Sequence, residues 1–245
     1  MKYKKPVKRV FDKDTVKIGY VTDTHIGPLC NMNKLRNHID IILEECDAWF
    51  HGGDVCDCIS PKDRRFDLRH PTKGISWEYH KAFELFEPIA DKGLVLLHGN
   101  HDITVAKTGW DEVTRLGKLL DIETRGVWTM LNLKFPNHKK DVFLHHGAGG
   151  GRKKGAKAIR LKEWAEFVDA DLYLMGHNHN HMTFPDRRVL RNGKHLTMQF
   201  CSGMGYLESW MDTDNYVEMV GLPPTSTGFI IIEISKESIK FEPIL

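Results

Sequence analysis

Five short clusters of Asp, His and Asn, each set beside glycine, carry the chemistry legible in this chain. They are Asp23-Thr24-His25, Gly52-Gly53-Asp54, Gly99-Asn100-His101-Asp102, His145-His146-Gly147 and Gly176-His177-Asn178-His179. Neutral imidazoles and carboxylates are common ligands of divalent metals. Gathered in an interior without a metal, the same groups would carry a large desolvation cost. The chemistry is therefore metal coordination, and the number of ligands decides how many ions. Asp23, His25, Asp54, Asn100, one of His145 and His146, His177 and His179 exceed the roughly four to six ligands that one zinc or iron ion takes. With one carboxylate shared, they supply about four protein bonds to each of two ions and leave positions open. Two Asp against two divalent ions leave about two positive charges, which suits an anionic substrate such as a phosphate ester.

The elements that must position these clusters follow from apolar patterning. Val16–Val21, Ala48–Phe50, Gly93–Leu97, Asp141–Leu144 and Asp171–Met175 read as strands, and one cluster follows each at once. Gly126–Leu133 and Asp141–Leu144 read as a hairpin joined through Pro136-Asn137-His138. Helical spacing begins at Asn33, the expected N-cap, and runs through Leu35, Ile39, Ile42, Leu43 and Cys46. Further helices are expected over residues 82–90 and 161–168, and late strands over His195–Phe200 and Thr227–Ile234. Alternating strands and helices give an α/β class. Residues 1–245 read as one domain, with a basic N-terminal extension over 1–15 expected to be solvated and closing strands and loops over 181–245. In open α/β sheets ligands bind beyond the carboxyl ends of the strands, so the five clusters should meet at one edge.

Strand alternation allows only one of His145 and His146 to face the metals, and His146, next to Gly147, is favoured. His51 and His98 are expected to be satisfied core histidines, and His181 to lie behind the site or at the surface. The glycine-rich, basic segment from Gly147 to Gly155 could cradle a phosphate or be a solvated loop. Arg64, Arg65 and Arg69 lie between clusters, where loops often set substrate choice.

Composition narrows the class further. Lys and Arg total 35 and Asp and Glu 33, a net charge of +2 that argues against strong nonspecific DNA binding. There is no apolar run of membrane length and no secretory signal pattern, so no membrane association is expected. Five cysteines without framework spacing suit a reducing, cytoplasmic setting. No amphipathic partner helix or heptad points to an obligate protein partner.

Taken in order, Asp23-x-His25, Gly53-Asp54-x-x-Asp57, Gly99-Asn100-His101-Asp102, His146 and Gly176-His177-x-His179 resemble the calcineurin-like metallophosphoesterase superfamily across roughly residues 17–180. The resemblance implies a four-layer sandwich of two mixed β-sheets flanked by helices. It places Asp23, His25 and His179 on a first metal, Asp54 between the two, and Asn100, His146 and His177 on the second. It makes His101 the general acid and Asp102 the carboxylate that orients it. Asp57 is expected behind the metals, accepting from a ligand ring. The family's metals are manganese, placed first, or iron, zinc or nickel, and nothing in this sequence selects among them. The implied reaction is hydrolysis of a phosphoester by a metal-bridging hydroxide. The basic N-terminus and the basic 147–160 segment lean toward a nucleotide or nucleic-acid diester. A phosphomonoester or phosphoprotein substrate is the alternative. The phosphoprotein is disfavoured because Ile103 follows Asp102, where protein phosphatases of this type carry Arg. A non-catalytic metal-binding scaffold of the same fold is the reading from another class.

Overall fold

Period-two alternation in the run Val16–Val21 sends Val16, Ile18 and Tyr20 to one apolar core and leaves Gly19 under Ile42 on the other face. Such two-sided burial is what a central strand of a covered sheet requires. The computed structural model describes residues 5–60, 66, 72–148, 154–189, 193, 195–207 and 226–245. Its elements run β1 Val7–Val10, β2 Val16–Val21, α1 Met32–Glu45, β3 Ala48–His51, α2 Ile75–Phe86, β4 Gly93–Leu97, α3 Asn100–Ala106 and α4 Glu112–Leu120. They continue through β5 Thr124–Arg125, β6 Trp128–Lys134, β7 Lys139–His145, α5 Lys154–Glu163, β8 Leu172–Met175, β9 Met182–Val189, β10 His195–Ser202, β11 Phe229–Ile234 and β12 Ile239–Ile244.

The strands form two six-stranded mixed sheets, ordered β1-β6-β7-β8-β10-β9 and β12-β11-β2-β3-β4-β5. In the second sheet β2, β3, β4 and β5 run parallel, and in the first β7, β8 and β10 do. The sheets face each other through Ile18, Tyr20, Phe50 and Val95 on one side and Leu131, Val142, Leu172 and Leu174 on the other. The outer face of the β2–β4 sheet is covered by α1, α2 and α4, through Leu35, Ile39, Phe86 and Leu116. The outer face of the β7–β8 sheet is covered by α5 and the turn after it, through Leu161 and Ala165. The four layers are therefore helix, sheet, sheet, helix. Among the described residues, no helix is long and apolar enough to cross a membrane.

Local chemistry moves several expected boundaries. The first helix is capped by Asn31, not Asn33, because the Asn31 side chain accepts from Lys34 N at 3.0 Å. The second begins at Ile75 and tightens into a 3₁₀ turn over Glu87–Lys92, where Pro88 supplies no N–H. The third likewise starts earlier, at Lys154, and gives way to a 3₁₀ turn at Trp164. The basic N-terminal stretch is not wholly a solvated tail. Val7–Val10 pairs parallel with β6, and Val7 and Phe11 are buried while Lys8 and Arg9 face out.

Candidate metal centre

Every cluster sits where its strand stops. Asp23 and His25 follow β2, Asp54 follows β3, and Asn100 and His101 open α3 after β4. In the facing sheet His146 follows β7, and His177 and His179 follow β8. Because β2, β3 and β4 are neighbours and β7 and β8 are neighbours, the loops converge across the mouth between the two sheets. The backbone stitches them together. Asp23 N donates to Gly53 O at 2.9 Å, His25 N to Asp54 O at 3.1 Å, and His177 N to the Asp23 carboxylate at 2.9 Å.

The side chains form three groups of three whose ligand atoms lie within 4.8 Å of one another: Asp23, His25 and His179; Asp54, His146 and His177; and His25, Asp57 and His101. The carboxylate of Asp54 links its own group to the first, with Oδ2 3.2 Å from His146 Nε2 and 3.7 Å from His25 Nε2. Asn100 Oδ1 lies 3.1 Å from His146 Nε2. All seven residues expected to hold metal are thus brought to one place. The neighbour His145 points the other way, stacked on Trp164 with ring centroids 4.3 Å apart. Asp23, His25, Asp54, His177 and His179 hold left-handed φ of 51°, 42°, 54°, 65° and 48°. For non-glycine residues such strain costs about 1–3 kcal/mol each and persists only where the surroundings enforce it. The donor set also fits a cation chemically. His25 and His179 point Nε2 at each other at 3.2 Å, and the buried His25 Nδ1 has no hydrogen-bond partner among the described residues, although Asp57 Oδ1 is 3.5 Å away.

The calcineurin-like phosphoesterase family model matches residues 16–181, the span that carries these loops. The chain belongs to the calcineurin-like phosphoesterase family. Its domain is that of enzymes that hydrolyse phosphoesters. No protein of curated function matches the sequence significantly. Among solved structures it is similar to Yfce, a phosphoesterase from E. coli, at 17% identity over 94% of this chain and all of that one, with a TM-score of 0.46. It is also similar to a metallophosphoesterase from Sphaerobacter thermophilus (12% identity, 94% and 88% covered, TM-score 0.46). A third likeness is to vacuolar protein sorting 29 from Cryptosporidium parvum (13%, 95% and 98%, TM-score 0.47). Likeness at this level says nothing of substrate.

Burial and charge set the protonation of this calcineurin-like phosphoesterase site in its metal-free form. Burial pushes Asp23 up to about 6. Burial also works against a charge on Asp54, yet His146, His25 and His101 hold it well below the usual carboxylate range. The same pairing wins over burial at His146 and raises it to about 9, while burial lowers His177 to about 4. A cation bound at Asp54 would take the place of the proton on His146.

One expected contact is replaced. Asp102 caps its own helix and braces the neighbouring loop, accepting from Gly99 N at 2.8 Å, Val55 N at 3.3 Å and the Tyr79 hydroxyl at 2.7 Å. The group set against His101 is Asp57, whose carbonyl lies 2.6 Å from His101 Nδ1 and whose Oδ1 lies 3.6 Å from it. The physical reason is geometric: as the third residue of α3, Asp102 turns back to the orphan N–H of Gly99. Asp57 also sits behind His25, the place expected of it. His51 is saturated, as a core histidine should be, with Gly53 N at 3.1 Å from Nδ1 and the Thr24 hydroxyl at 3.0 Å from Nε2. His98 is equally engaged, by Arg125 O and Asp111. His181 is half-buried. Arg64, Arg65, Arg69, Arg152 and Lys153 lie outside the described residues. Two residues that sequence reasoning passed over join the site: Tyr79, through Asp102, and Lys157, whose Nζ lies 3.0 Å from Asn178 O.

Proposed function

We propose that the chain is a dinuclear metal-dependent phosphodiesterase acting on nucleotide or nucleic-acid diesters, with manganese as its metal. The observation that carries the dinuclear reading is Asp54, whose Oδ2 lies near His146 of its own group and near His25 of a second Asp/His group. In this reading Asp23, His25 and His179 hold one ion, and Asn100, His146 and His177 hold the other. When bound, the two ions supply Lewis acidity toward the phosphate oxygens and the attacking water. The protein's own part is to place a proton. His101, half-buried next to the exposed Asn100, protonates the leaving oxygen. Asp57, against its Nδ1, fixes the ring and favours its charged form. The diester preference is supported by the two basic stretches of the sequence, the N-terminal one and residues 147–160. Five buried cysteines, none in a disulfide, support a cytoplasmic location.

The test compares metal-stripped protein reloaded with Mn²⁺, Zn²⁺, Fe²⁺ or Ni²⁺ on bis-p-nitrophenyl phosphate and on p-nitrophenyl phosphate. The expected result is Mn²⁺-dependent cleavage favouring the diester and lost in Asp54→Ala. A preference for the monoester would overturn the substrate class. Full activity with one ion bound would overturn the dinuclear centre.

A further inference from the structure

We infer that Lys157 is a positioning residue for the metal-ligand turn His177-Asn178-His179, clamping it from α5. The inference rests on the dinuclear reading above. The turn needs such a clamp because His177 and His179 both hold left-handed φ, 65° and 48°, a conformation that is strained for a non-glycine residue and persists where the surroundings enforce it. Between them, the Asn178 peptide fixes the direction of both rings. Its N–H donates to Gly176 O at 2.8 Å. Its carbonyl accepts from Asn180 Nδ2 at 2.9 Å and from Lys157 Nζ at 3.0 Å. Among the described residues that hold this carbonyl, only the lysine comes from another element. On the far side, His177 N is tied to the Asp23 carboxylate. The turn is thus gripped between a ligand of the first group and a helix that follows His146 of the second in sequence.

That placement gives Lys157 a function distinct from core packing. Its neighbours on α5, Ala156 and Ala158, offer the turn no donor, and the side chain is half-buried. Removing the ammonium leaves the Asn178 carbonyl held by Asn180 from within the same loop, without the tie to α5 that fixes its direction. The rings of His177 and His179 would then lose their common aim. Groups that orient ligands in this indirect way typically change metal affinity about 10–100-fold when removed.

The experiment titrates Mn²⁺ into metal-stripped wild-type, Lys157→Met and Lys157→Arg proteins by calorimetry, with thermal unfolding of each metal-free form in parallel. The expected result is Mn²⁺ affinity about ten-fold or more weaker in Lys157→Met, substantially restored in Lys157→Arg, with unchanged metal-free Tm. Equal Mn²⁺ affinity in Lys157→Met and wild type overturns the positioning role. A fall in metal-free Tm that Lys157→Arg does not repair also overturns it, as plain packing. Wild-type protein that takes up no Mn²⁺ would instead strike down the dinuclear reading on which this inference stands.

Discussion

His101 shows what a single ring must do to serve as an acid. Its Nδ1 faces the Asp57 carbonyl at 2.6 Å and must carry a proton there. The proton to be given therefore resides on Nε2, which means the working ring is cationic, and the Asp57 carboxylate 3.6 Å away favours that state. His101→Gln should lower kcat by about 10²–10⁴ on a diester with a poor, alkoxide-like leaving group. On bis-p-nitrophenyl phosphate, whose leaving group departs without a proton, the loss should be far smaller. Steady-state rates on both substrates, with the bound Mn²⁺ counted, check this, and undiminished turnover of the poor leaving group would remove His101 from the chemistry. At this scale the site was legible because Asp, His and Asn beside glycine advertise themselves in a sequence. The grip of Asp57 on His101 was not, because it is made by a backbone carbonyl, which leaves no trace in residue type. Tyr79 and Lys157 were invisible for a related reason: each reaches the site from a helix whose face and start only tertiary packing fixes.

Glycine placement governs how closely the elements can approach. Gly99, between β4 and α3, has an ordinary extended backbone, so any residue could adopt its conformation. A Cβ there, however, would overlap both the carboxylate and the backbone nitrogen of Asp54. Gly99→Ala should therefore push the β3 loop away, costing about 1–3 kcal/mol as overpacking does. At about 2–4 °C per kcal/mol for a chain of this size, thermal unfolding resolves that loss. Because the displaced group is Asp54, Mn²⁺ affinity should fall as well. A variant with wild-type Tm and affinity would show that the two loops are less tightly apposed than described. The strands that deliver ligands could be read from sequence because β2, β3, β4, β7 and β8 end in apolar runs buried on both faces. The edge strands β9 and β12 escaped because they alternate exposed residues and contain Pro185 and Pro243, the signature of a sheet edge rather than its centre. Short α3 was hidden by the ligands themselves, since Asn100, His101 and Asp102 occupy its first turn.

Across the whole molecule, the apolar interior between the sheets is set against one edge where Asp23, Asp54, Asp57, His25 and His146 are all buried. Metal that binds only the folded chain offsets this burden by mass action, about 2.7 kcal/mol per site at a hundred-fold excess over Kd. For a chain of this size that is about 5–10 °C in Tm for each site filled. Thermal scans against Mn²⁺ concentration should show two such increments in the wild type. In Asp23→Ala, which cripples one group, a single increment should remain, and in Asp54→Ala neither should be normal. The effect of pH has a definite sign. His146 is raised to about 9 when folded, against an ordinary value of 6.5, through its pairing with Asp54. The stability from that pairing is full below about pH 6.5 and is lost as pH rises through 9 in the metal-free protein. Mn²⁺ must displace the same proton to bind, so the metal-induced rise in Tm should grow between pH 6.5 and 9 while the metal-free Tm declines. A metal-induced shift that stayed flat across this range would mean that His146 is not among the groups the metal displaces a proton from, and the second group would have to be redrawn without it.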